Sequence, residues 1–287
     1  MINWPNSLVS DIARRKSVLV IGAGVSKNST NAAGHRPKDW KEFLITASGN
    51  LVGRAEINRQ IKSGDFLTAC ELIKKELGRD EFNTIIRSEF LNPRFNHAQI
   101  HEHIYNLDSR IVITPNFDKI YDTYASTISQ GSIIIKKFTD EDIVDCIRRP
   151  EPLIIKIHGT VDNADNLIFT RKDYSNARTK YRNFYNIIEA LSLTHTFIFI
   201  GCGTNDPDIR LILEDFTFKF PFNKMHYIIM PKNALDNKVK EIVKETMSLN
   251  IIEYDSVNNH KLLTDSIGEL VNLVELNRQE IANLQSW

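Results

Sequence analysis

The chain has 287 residues, and its 36 Lys plus Arg are matched by 36 Asp plus Glu, a formal net charge of zero. That balance argues against a generally basic nucleic-acid or anionic-membrane binder, and 42% hydrophobic with 25% charged residues excludes a disordered or fibrous chain. No apolar run approaches the roughly 20 residues of a membrane helix. The opening MINWPNSLVSDIARR has no apolar signal core, so the expected location is the cytoplasm, with no membrane partner. Cys70, Cys146 and Cys202 lie far apart and form neither a disulfide framework nor a CxxC pair, which points to a reducing compartment and no structural zinc.

In chain order, residues 17–21 (SVLVI) run into Gly22-Ala23-Gly24, and residues 110–113 (RIVI) into Thr114-Pro115-Asn116. Residues 153–157 (LIIKI) run into His158-Gly159, residues 196–200 (TFIFI) into Gly201-Cys202-Gly203, and residues 225–230 (MHYIIM) into Pro231. Residues 133–135 and 250–254 are weaker strand candidates. These runs are apolar on both alternations, as strands covered on both faces must be. Helical patterns at 183–193, 207–218 and 239–247 alternate with them, so the expected fold is α/β with a doubly wound, mostly parallel sheet. Between Gly24 and Arg110 the sequence is poor in strands, with helical stretches at 40–51, 66–77 and 82–90. That is too long for a simple crossover and predicts a helical insertion over about 36–100. A C-terminal helix is expected over about 261–284. With no repeat, low-complexity tract or Pro/Ser-rich hinge, residues 1–287 read as one domain.

Four strand ends carry chemistry-bearing residues, and in an open parallel sheet ligands bind beyond the carboxyl ends of the strands. In VLVIGAGVSKNS, Gly22, Ala23 and Gly24 allow a backbone to approach a pyrophosphate closely, with Ser26 as a donor. Tight strand-to-helix turns also use glycine for steric reasons alone, and the dehydrogenase GxGxxG spacing fails because Lys27 stands where its third glycine belongs. In IVITPNFDKIYD, Asn116 both donates and accepts, and Asp118 is an acceptor or a helix cap; taken alone, this segment is read in preference as a plain Asx turn after Pro115. In LIIKIHGTVDN, His158 is a candidate general base, and Lys156, two residues earlier, is expected on the same strand face. In FIFIGCGTNDPDIR, Gly201 and Gly203 repeat the small-residue pattern and Thr204 adds a hydroxyl, while Asp206 before Pro207 reads as an N-cap.

The order of these motifs (GAGVS, TPNFD, KIHG, GCGTNDP) resembles the sirtuin superfamily, specifically bacterial defence-associated sirtuin-like proteins. The stretch from His97, HAQIHEHI, is similar to the helix that leads into the second strand of that family. The resemblance implies a Rossmann-type NAD-binding domain with a helical module. Protein-deacylating sirtuins carry four zinc cysteines, a GIPDFR segment after the first motif and a peptide-binding strand; none is legible here, which counts against acyl-lysine deacylation. The resemblance therefore implies an NAD hydrolase without zinc, with NAD as substrate. Asn116 and His158 would be catalytic; Gly22, Ala23, Gly24, Ser26 and Asp118 would lie along the diphosphate and ribose, and Gly201, Gly203 and Thr204 along the adenosine half. It also implies a homo-oligomer and a separate sensor or partner, a translocase-type ATPase or an Argonaute-like protein. The alternatives are a catalytically idle sensor of NAD or ADP-ribose and a residual deacylase.

Other constellations read as structure. His97 and His101 would share a helix face, but there is no HExxH and no nearby cysteine, so no metal site is assigned. Lys136-Lys137 and Arg148-Arg149 read as solvated surface, and the aromatics of RTKYRNFY as helix packing.

Overall fold

In the computed structural model, which describes residues 1–203, 207–220 and 223–284, the apolar runs become seven strands. They are β1 (Ser17–Ile21), β2 (Ile111–Thr114), β3 (Ile134–Lys137), β4 (Leu153–Lys156), β5 (Thr196–Ile200), β6 (His226–Pro231) and β7 (Leu249–Tyr254). All pair in parallel in the order β3-β4-β2-β1-β5-β6-β7. Every residue of β1, β2, β4 and β5 is buried, which is why these runs are apolar on both alternations. The edge strands β3 and β7 are only partly covered and correspondingly give the weaker signal.

The helices are α1 (Asn6–Ala13), α2 (Ala23–Ser26), α3 (Trp40–Ala47), α4 (Arg54–Ser63), α5 (Phe66–Leu77), α6 (Arg79–Phe90) and α7 (Gln99–Asn106). They continue with α8 (Ile120–Ile128), α9 (Ile143–Arg148), α10 (Arg171–Lys180), α11 (Arg182–Thr194), α12 (Pro207–Lys219), α13 (Asn237–Met247) and α14 (Val257–Leu284). Strand alternation splits the core. Leu19 and Ile21 pack with α1, α7, α8 and α14 on one face, while Val18 and Val20 pack with α10, α11 and α13 on the other. Helices α3 to α6 enclose a third core, built from Phe43, Ile57, Ile73 and Phe82, which also takes in Val161 and Phe169 from beyond β4. None of the helices, over the described residues, is long and apolar enough to cross a membrane.

Local chemistry sets the ends of the inserted helices. Asp39 and Glu42 form a reciprocal capping box at α3, Asp65 caps α5 through the Thr68 N–H, and Gly64 closes α4 at φ +81°. Helices α4 and α10 escape the hydrophobic pattern because their sequences, RAEINRQIKS and RKDYSNARTK, are dominated by polar residues; they bury only Ile57 and Ile61 in one and Tyr174 and Ala177 in the other.

The register positions the site. Thr114 lies opposite Lys156, and Ile21 opposite Ile200, so all four motif turns leave the same edge of the sheet. The chain leaves β1 toward β2 and leaves β5 toward β6, making the β1/β5 gap the switch point where an open α/β sheet forms its crevice.

Candidate active site

The two glycine turns interlock across that gap. Gly22 N–H donates to Ile200 O at 3.0 Å and Gly24 N–H to Gly201 O at 2.9 Å. A Cβ on Gly22 would stand 2.5 Å from Gly201 O, and one on Gly201, whose φ is +64°, would stand 2.6 Å from Val25 N. The small residues here are therefore dictated by turn-on-turn packing. Two N–H groups that the sequence offers to a phosphate are already engaged, and Gly24 does not line the cavity described below, whereas Gly22, Ala23 and Ser26 do. Gly201 and Gly203 line it too; Thr204, Asn205 and Asp206 lie outside the described residues.

The TPNFD turn is fixed by hydrogen bonds from several elements. Thr114 Oγ1 donates to Ile21 O at 2.8 Å and accepts from the Asn116 N–H at 3.0 Å. Asn116 does not close an Asx turn; its Nδ2 donates to Ser26 Oγ at 3.1 Å, and Ser26 donates to Asp118 Oδ2 at 2.8 Å. The Asx turn expected after Pro115 is made by Asp118 instead, whose Oδ1 accepts from the Ile120 N–H at 3.0 Å at the start of α8. Ser26 and Asp118 are buried, and Asn116 is partly exposed.

β4 ends at Lys156, so the alternation that would put Lys156 and His158 on one face lapses. Lys156, 1% exposed, points its ammonium toward α8, donating to Asp122 Oδ2 and to Asp118 O at 2.6 Å each. His158 is buried and packs edge-on against the Tyr174 ring of α10, centroids 5.1 Å apart. Gly159, at φ +85°, turns the chain where a Cβ would meet Asn166 O at 3.0 Å.

Asn116, Asp118 and His158 share one cavity of about 420 Å³ with the glycine turns, within the usual range of ligand pockets. The cavity is also lined by aromatic rings: Trp40, Phe66 and Phe90 from α3, α5 and α6, Phe117 from the TPNFD turn, and Phe169 and Tyr174 from just before and within α10. Phe117 packs against Phe90 and Phe169 at 4.9 Å each, tying the TPNFD turn to the helical core. This aromatic wall, with Asp65 at its edge, has no counterpart in the sequence reading. Its members come from five separated stretches with no shared spacing, so only the chain path assembles them.

The histidines before β2 diverge. His101 is buried with Nδ1 accepting from the Ala98 N–H, His97 pairs with Glu102 and stacks on Tyr124, and His103 lies against Gly268. Among the described residues no group of three or more His, Cys, Asp or Glu is arranged to hold a metal ion.

Residues 110–252, from the start of β2 to the middle of β7, match the family model of the SIR2-like domain. The chain belongs to the SIR2-like family. The SIR2-like chain is 24% identical over 268 residues to Defense-associated sirtuin 2 of Bacillus subtilis, covering 88% of its own length and 25% of that protein. It is 23% identical over 285 residues to the NAD(+) hydrolase ThsA of Enterococcus faecium, covering 94% and 56%. With the ThsA of Acinetobacter baumannii the identity is 24%, covering 78% and 44%. The SIR2-like chain thus spans between a quarter and just over half of the length of these relatives.

Proposed function

We propose that this SIR2-like chain hydrolyses the nicotinamide–ribose bond of NAD, giving nicotinamide and ADP-ribose, and acts in the cytoplasm as an NAD-depleting effector of antiphage defence. The observation that carries this reading is that Asn116 and His158 line one cavity at the sheet's switch point. Relatives named NAD(+) hydrolase and defence-associated sirtuin support it.

Cleavage of the C–N bond passes through an oxocarbenium-like ribose, and the nicotinamide leaves without covalent help from the protein. The catalyst therefore has to orient the ribose, exclude bulk solvent and place a water on the face opposite the leaving group. In this reading Asn116 orients that water or the ribose hydroxyls, and His158 accepts a proton from one of them. The aromatic wall gives the nicotinamide a flat apolar surface, and Ala23, Gly22 and Gly203 border the diphosphate and adenosine half. Copies of the chain associate through the insertion or α14, where Leu276 and Leu284 are exposed; a separate sensor or ATPase restrains the activity. Size-exclusion chromatography with light scattering should give a mass above that of one chain at micromolar concentration.

The deciding experiment incubates the chain, alone and with the products of neighbouring genes, with NAD and separates the products. Nicotinamide and ADP-ribose in equal amounts are expected. Saturable NAD binding without release of nicotinamide would instead mark a sensor.

A further inference from the structure

We infer, resting on the NAD-hydrolase reading, that Ser26 and Asp118 are positioning residues that set the polarity of Asn116, leaving its carboxamide oxygen as the end offered to the cavity. A carboxamide has a donor end and an acceptor end of nearly the same shape, so its partners decide which end faces where.

The one donor in this chain of groups that cannot change its role is the Ile120 N–H, 3.0 Å from Asp118 Oδ1. The Asp118 carboxylate only accepts, so Ser26, 2.8 Å from Oδ2, gives its single hydroxyl proton there. The Ser26 oxygen is then an acceptor and takes its bond from Asn116 Nδ2 at 3.1 Å. Oδ1 of Asn116 is thereby turned away from Ser26, on a side chain that lines the cavity.

Neither end of the relay is free to relax. Ser26 and Asp118 are 5% and 9% exposed, so water does not readily replace the bonds between them. Lys156 holds the Asp118 carbonyl at 2.6 Å, and Thr114 Oγ1 holds the Asn116 N–H at 3.0 Å. The polarity matters chemically. An acceptor at this point takes an O–H from the water or ribose hydroxyl and leaves the oxygen lone pair free to attack. An N–H there would bind that lone pair instead.

Asp118→Asn tests the relay without changing its shape. The Ile120 N–H still requires an oxygen, so the new amide presents its NH2 to Ser26. Ser26 then turns its own proton toward Asn116, and the Asn116 carboxamide must reverse. We expect Asp118→Asn to keep its melting temperature close to wild type while the turnover number of nicotinamide release at saturating NAD falls about 10²-fold. Ser26→Ala, which unties Asn116 without reversing it, should cause a smaller loss of the same kind. In an Asn116→Ala background neither substitution should lower turnover further, because both act through the missing amide. Wild-type turnover in Asp118→Asn, or equal losses with and without Asn116, overturns the relay while leaving the hydrolase reading intact. A wild-type chain that binds NAD but releases no nicotinamide, alone or with neighbouring gene products, overturns that reading and the relay's catalytic role with it.

Discussion

Gly22 and Gly201 show how one residue type serves two readings at once. Both were legible as small residues at strand ends, and both are required because the two turns meet at distances no Cβ tolerates. What the sequence does not convey is that the close partner is another turn, since that partner lies nearly 180 residues away along the chain. For Asn116 and His158 the consequences are kinetic. In the proposed mechanism, His158→Ala or Asn116→Ala should lower nicotinamide release by about 10²- to 10⁴-fold while the protein stays folded. Timed chromatography of NAD digests, with circular dichroism as the folding control, checks this; His158→Ala turning over at the wild-type rate would remove His158 from the mechanism.

At the scale of elements, the ion pair between Lys156 of β4 and Asp122 of α8 joins the strand that leads to His158 with the helix that follows Asp118. The side chains are 1% and 7% exposed. Burial of this kind makes the pair weak as a source of net stability but costly to break on one side. Lys156→Met alone should lower stability by about 3–5 kcal/mol, because the Asp122 carboxyl is left buried without its cation. Lys156→Met with Asp122→Leu should recover most of that loss in urea melts; a double variant as unstable as the single would show that the pair is not the cause. Surface pairs such as Arg79 with Asp165 contribute far less to docking the insertion than the packed rings of Phe43, Phe82 and Phe169.

For the molecule as a whole, His101 and His226 make stability depend on pH. Burial lowers both to about 4 from the ordinary 6.5, against the pull of Asp118 in the case of His101. The folded form keeps these rings neutral, whereas the unfolded chain protonates them near 6.5. Their contribution is therefore complete above about pH 7 and is lost as the pH falls from 6.5 toward 4. Melting temperature measured across this range should fall on acidification. His226→Gln, which retains an acceptor for the Phe197 N–H, should make that fall shallower. The seven strands, and the helices α3, α5, α6, α11, α12, α13 and α14, were legible in the sequence alone. Strands buried on both faces must be continuously apolar, and turns at a sheet edge must use Gly, Pro and Asn. Helices α1, α4, α9 and α10 were not read from the sequence; α4 and α10 are so rich in polar residues that their few apolar ones mark no face. The cavity, too, was decided only by tertiary structure. Phe117, Phe169 and Trp40 become one wall, Lys156 turns to α8 instead of sharing a face with His158, and the hydroxyl of Ser26 goes to Asp118. Each of these depends on which turn the fold brings within about 3 to 5 Å of another, and contacts between segments far apart in the chain leave no local pattern.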